Sequence, residues 1–210
     1  MSSFLRVPKN QLTLTLILIY LTVFSLYPAI QSIYVLVASL GFVILFDLLF
    51  TFIRKKTLFM PFAAIATGLI IALIIDPDSQ WYQVAAVSGI AMGAKNFIRL
   101  SNRHIFNPAA IGLFVGGIIF GQYIAWWGVS FQNIRQVTFL NLVLFLALLS
   151  PALVSAYRMR RIYSIVAFIL TYTVFSHLLT LALSISSIID RVLDPSVLFF
   201  SLVMLPEPMT

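Results

Sequence analysis

Asp47 is an acid set inside a long apolar run, "ASLGFVILFDLLFTFI" (38–53). In an apolar medium a carboxylate is costly unless a counter-charge or water meets it, so two chemistries fit. One is a structural ion pair with a basic residue at the same depth, for which Lys95 is available. The other is a station on the path of a cation or proton. About two helical turns further on, Arg54, Lys55 and Lys56 form a basic mouth. Lys95, Arg99 and Arg103 recur every four residues, which puts them on one face if a helix continues that far. Such a face either anchors a helix end by snorkelling or holds an anionic cofactor group. Beside it stands Asn107-Pro108. Pro108 has no backbone N–H and pushes Asn107 out of the α region, so a helix opens there, and its free N–H groups and dipole favour an anion. On that helix Gly112, Gly116, Gly117 and Gly121 include a small-xxx-small pattern, which predicts close helix packing. The two histidines do not make a haem site within one chain. His104 lies at the end of one apolar run and His177 beyond the midpoint of another, whereas a shared bis-histidine iron needs one depth.

The elements that must hold these residues follow from composition. Of 210 residues 61% are hydrophobic and 9% charged, with a mean hydropathy of +1.07, whereas soluble domains carry about 25% charged residues. The composition predicts an all-α, polytopic membrane bundle. Zero cysteines exclude disulfides, thiolate-held zinc and Cys-ligated iron–sulfur clusters within the chain. The apolar runs predict seven transmembrane helices, at Leu12–Ala29, Ile33–Ile53, Phe59–Ile75, Gln83–Leu100, Ile105–Ile124, Thr138–Ala156 and Ile162–Leu183. A half helix, Val197–Leu205, stops at Pro206. Short polar turns such as "DPDSQW" (76–81) and "DRVLDP" (190–195) connect them, so residues 1–210 form a single membrane domain. The first run lacks a small-residue cleavage site, which speaks against a cleavable signal peptide. With the N-terminus inside and the helices alternating, eleven of the thirteen Lys and Arg residues fall on the cytoplasmic side. Arg135 and Arg191 are the two exceptions. Asp76, Asp78, Asp190 and Asp194 fall outside, and Trp81, Trp126 and Trp127 take the outer interface. This distribution gives the net charge of +7 a topological meaning and no nucleic-acid role. It predicts a multi-pass protein of the cytoplasmic (inner) membrane in contact with the lipid bilayer.

Two stretches, "AAIATGLIIALIID" (63–76) and "GAKNFIRLSNRHIFNPAAIGLF" (93–114), carry a resemblance. They are similar to the NqrB/RnfD family of membrane proteins, shared by the sodium-translocating NADH:quinone reductase and the Rnf electron transport complex. That family shows a Thr-Gly-Leu helix, an Ala-Lys-(Asn/Gln) helix and a Phe-Asn-Pro-Ala helix opening at spacings like these. Asp47 resembles its acid ahead of an Arg-Lys-Lys mouth, and "LPEPMT" (205–210) resembles its Thr-Asp-Pro-Val-Thr segment. The resemblance covers most of the chain from about residue 45 onward. It implies a flavin-associated electron-transport subunit of a multisubunit redox complex that moves Na⁺ or H⁺, between NADH and quinone or ferredoxin and NAD. Lys95, Arg103, Asn107, Pro108, Glu207 and Thr210 would lie at the cofactor, FMN or riboflavin, and Asp47 on the ion path. The loop "QYIAWWGVSFQNIRQ" (122–136) contains no Thr to carry a flavin phosphoester, so the flavin would be held non-covalently or be absent from this chain. The chain ends where the family continues into two further helices, as in a truncated or reduced relative. The alternative is a non-redox ion or solute transport protein built on the same mouth and the same acid; a purely structural membrane scaffold is a third reading.

Overall fold

The 26 residues from Ile30 to Lys55 form one helix, α2, and the pattern of their side chains decides which face turns inward. Ser32, Val35, Ser39, Val43, Asp47 and Thr51 are buried, and their spacing of three or four residues makes them a single stripe. Val37, Leu45, Leu49, Phe52 and Ile53 point outward and are exposed. Small and polar residues are inside and large apolar ones outside, the reverse of a helix in a water-soluble domain.

The computed structural model describes residues 8–26, 28–55, 62–100, 103–121, 124–129, 149–154, 156–158, 160–179 and 190–206. The chain is mostly helical and belongs to the all-α class. Besides α2 the helices are α1 (Pro8–Leu26), α3 (Phe62–Ile74), α4 (Trp81–Phe97), α5 (Pro108–Phe120), α6 (Ile162–Leu179) and α7 (Pro195–Phe199), which runs on into a π turn, Phe200–Met204. Between α4 and α5 lies a small antiparallel hairpin, β1 (Arg99–Leu100) with β2 (Arg103–His104), in the register Arg99 opposite His104 and Leu100 opposite Arg103. Residues 149–154 and 156–158 are also helical. The chain divides into two units, one comprising Thr13–Val129 and the other Ser130–Pro208, apart from the chain ends.

In the first unit α4 packs against both α2 and α5, and α3 packs against α2. Missing side chains allow the close approach. A Cβ on Gly112 would lie 2.6 Å from the Val87 carbonyl oxygen and 2.8 Å from the Ala91 Cβ, and one on Gly68 would lie 3.2 Å from the Leu40 Cα. Helix α3 is apolar all round because protein covers it all round, with Ile70–Ile74 fully buried. Its C-terminal carbonyls, which a helix leaves without internal partners, are answered by the segment 124–129. Trp127 Nε1 donates to Ala72 O at 2.8 Å, Gly128 N to Leu73 O at 2.9 Å, and the Ala125 and Trp126 amides both donate to Ile74 O at 2.9 Å. In the second unit, Asp194 caps α7 by accepting from Ser196 N at 2.9 Å, with Pro195 in the first turn, and the Phe168 ring of α6 lies 5.1 Å from that of Phe200.

The helices depart from the apolar runs at identifiable points. Ile105, Phe106 and Ile124 fall outside α5, because Pro108 opens the helix and Gly121 (φ +80°) ends it. Helix α4 closes at Phe97 and does not reach Leu100. Of the expected helix Thr138–Ala156, residues 138–148 lie outside the described residues, as do 180–183 of Ile162–Leu183. Among the described residues α2 alone is long and apolar enough to cross a membrane by itself; residues 149–158 and α6 meet that test only together, as a bent pair. At 13 residues, α5 measures about 20 Å.

Candidate functional site

Helices α2 and α4 lie side by side in the same direction, and this parallel packing sets the site. The Phe46 ring fills the space over Gly89, 3.5 Å from where a Cβ would stand. Phe42, Phe46, Phe50 and Phe97 continue as a ladder of rings with centroids 6.4, 5.6 and 5.4 Å apart. Along this seam Asp47 and Lys95 come to one level. Lys95 Nζ donates to both carboxylate oxygens of Asp47 at 2.9 Å, with Asp47 fully buried and Lys95 9% exposed. Asn96 Nδ2 donates to Asp47 Oδ1 at 3.3 Å and to the Met92 carbonyl at 3.1 Å. One turn beyond Asp47, Thr51 Oγ1 donates to Asn96 Oδ1 at 3.0 Å.

The result is a buried four-residue network with no net charge. Inside a low-dielectric interior such a pair holds only while both partners are charged and hydrogen-bonded. A proton or a small cation reaching the Asp47 carboxylate competes with the Lys95 ammonium for it.

At the ends of α2 and α4 the basic residues gather. Arg99 Nη1 donates to the Lys95 carbonyl at 3.1 Å. Arg99 lies in β1, beyond the end of α4; its burial, and then the charge of Arg54, lower its pKa. Arg54 belongs to the last turn of α2, and its Nε is buried with no hydrogen-bond partner. His104 is buried in β2, its Nδ1 2.9 Å from the Phe106 carbonyl.

No family model, curated protein or solved structure matches the chain.

The structure thus brings Asp47 and Lys95 together as a pair and separates the basic stripe read from the sequence. Lys95, Arg99 and Arg103 share no helical face, because α4 ends at Phe97 and the chain folds back through the hairpin. Lys95 points into the protein, at Asp47, and not into a mouth. Arg103 contributes β2 backbone, and its side chain lies outside what is described. Asn107 caps α5 itself, accepting from Ala110 N at 3.0 Å, so one of the amides open to an anion is already taken. Pro108 occupies the first turn and is buried. Glu207 and Thr210 lie outside the described residues. The site also includes Thr51, which the sequence reading passed over, and Asn96, which it quoted within the Ala-Lys-(Asn/Gln) motif without giving it a role. Thr51 follows Asp47 by one helical turn and Asn96 adjoins Lys95, so the spacing was there to be read; what was missing was the parallel placement of α2 and α4.

Proposed function

We propose that this chain is a membrane-embedded electron-transport subunit of a redox-driven, ion-translocating oxidoreductase complex, in which the Asp47–Lys95 pair is the ion station. The single observation that carries the reading is that pair: a carboxylate and an ammonium buried against one another between two apolar helices. Ionisable groups in such a place mark ion and proton paths. The residues of the family resemblance converge on it. Asp47, Lys95 and Asn96 touch one another, while Gly68 of the Thr-Gly-Leu stretch packs on α2 and accepts from Ser39 at 3.0 Å.

Residence in a membrane is supported by the apolar exterior of α2 and by the sorting of charge in the first unit. Arg54, Lys55, Lys95 and Arg99 lie at the C-terminal ends of α2 and α4. Trp81 and Asp76 lie by the start of α4. Helix α2, about 39 Å long, exceeds the hydrocarbon thickness of about 30 Å. The short, capped helices α3 and α5 suit a membrane interior in which irregular backbone must face protein. Seven spans, an inner N-terminus and the cytoplasmic membrane complete the proposal.

When bound, a flavin supplies the electron chemistry, and the protein supplies position and charge. Lys95 and Asn107 do not fit as its direct ligands, because their polar groups are engaged within the fold. Their part is to fix the ion station and the opening of α5. The test is optical. The full chain, purified in detergent with whatever subunits accompany it, should carry the visible absorbance of a flavin that acid denaturation releases entirely into solution. A folded but colourless preparation would reject the redox reading and leave ion or solute transport through the same pair.

A further inference from the structure

We propose that Ser88 is a further ligand of the ion station, its hydroxyl holding a small hydrated cation, Na⁺ or hydronium, on the way to the Asp47 carboxylate. The proposal rests on the reading of the Asp47–Lys95 pair as a station. An unanswered group is the first observation. Ser88 is fully buried in α4, and its Oγ has no hydrogen-bond partner. A serine enclosed in a helix can satisfy itself by donating to a carbonyl three or four residues back, as Ser32 and Ser39 do on α2. Ser88 does not, and a buried hydroxyl left unpaired is costly.

Its place is the second. Ser88 precedes Lys95 by two helical turns, so the two side chains leave α4 in nearly the same direction. Asn96 fixes the level of the pair, because its Nδ2 lies 3.3 Å from Asp47 Oδ1 and 3.1 Å from the Met92 carbonyl. Ser88 stands one turn before Met92, about 6 Å along the axis, a gap that a cation with its water spans. The Phe46 ring, 3.5 Å from the Cβ position of Gly89, ties that level of α4 to the residue before Asp47. The carboxylate has room for the arrival. Among the described residues Oδ1 accepts from Lys95 and Asn96, and Oδ2 from Lys95 alone, while each oxygen offers two lone pairs. Charge supplies the direction. Arg54 and Lys55 close α2 and Arg99 follows α4, so a cation is repelled from that end. Asp76 and Asp78 precede α4 and draw it to the other, from which Ser88 is met before the pair. Helix α3, which also packs on α2, brings no charged residue, so the cation's competitor is Lys95.

The experiment follows Asp47 by infrared spectroscopy of the full chain in detergent, with whatever subunits accompany it. Asp47→Asn identifies the carboxylate bands by their loss. Sodium chloride should shift those bands and choline chloride should not. In Ser88→Ala about tenfold more sodium should be needed for the same shift. If sodium leaves the bands alone and acid converts them to those of the carboxylic acid, the ligand is hydronium. After a drop in pH that conversion should then be about tenfold slower in Ser88→Ala. The melting temperature of Ser88→Ala should equal or exceed that of wild type, because the lost hydroxyl has no protein partner. A marked fall would make Ser88 structural and reject the proposal. Ser88→Cys keeps the volume without the hard oxygen and should respond as Ser88→Ala does; a wild-type response in it rejects the proposal even where the alanine variant fails to fold. Equal responses in wild type and Ser88→Ala reject Ser88 as a ligand and leave the station standing. A wild-type Asp47 that answers neither sodium nor acid rejects the station, and Ser88's part in it.

Discussion

Lys95 without Asp47 would be an enclosed ammonium with nothing opposite it, and the converse holds for Asp47. Removing one member of a buried pair typically costs about 3–5 kcal/mol, whereas replacing both with apolar groups of similar size is often neutral. Lys95→Met should therefore unfold at a much lower temperature than wild type, and the double variant Asp47→Leu, Lys95→Met should recover most of that loss. Calorimetry or a fluorescence melt of the four proteins in one detergent reads this directly, and equal losses in single and double variants would contradict a mutually dependent pair. Ion movement by reconstituted protein separates structure from station. The recovered double variant should move no ion, and if it transports normally the pair serves the fold alone. At this scale the sequence was largely legible. Asp47 announced itself by being an acid among apolar residues, and Lys95 by its type and depth. Thr51 is uncharged and common at helix positions, so nothing set it apart until α2 and α4 were adjacent, and Asn96 stood out only through the motif it shares with Lys95.

Between elements, the close approach of α4 and α5 rests on the missing side chains of Gly112 and Gly116, both set against Val87. A Cβ on Gly112 would meet the Val87 carbonyl at 2.6 Å, and backbone cannot step aside as a flexible side chain can. Gly112→Ala should destabilise the protein by about 1–3 kcal/mol, as overpacking does. Gly41 supplies the contrast, since it lies on the exposed face of α2 with nothing within 4 Å of its Cβ position. Gly41→Ala should be neutral or stabilise by up to about 1 kcal/mol through helix propensity. Thermal melts of the two variants give the answer, and equal effects would mean that the α4–α5 contact is loose. The opening of α5 was readable from Asn107-Pro108, whose capping chemistry is local. The end of α4 was not, because "KNFIRLSNRH" (95–104) contains neither Gly nor Pro, and the hairpin that stops the helix is made by pairing across the turn. The periodic basic residues thus suggested a face that the backbone does not make.

For the whole chain, the sorting of charge carries the strongest expectation. Reporter fusions after Lys56 should be cytoplasmic and fusions after Ser79 external, and the opposite readout would invert the proposed orientation. Composition made the apolar exterior legible from the sequence alone, because it sums over every residue. It could not show how far each helix runs, since runs of apolar residues continue past α5 at both ends while Pro108 and Gly121 interrupt the backbone. The capped end of α3 has one more consequence, and it concerns time. The carbonyl of Ala72 is answered by the indole of Trp127, 55 residues later in the chain. At elongation rates of about 5–20 residues per second, α3 emerges some seconds before its partner exists. In the membrane setting proposed above, an open row of carbonyls cannot settle in hydrocarbon, so there α3 must wait, wet or sheltered by the insertion machinery, until the 124–129 segment arrives. On that proposal the first unit is assembled as a whole once the 124–129 segment is made, and not helix by helix as the ribosome advances.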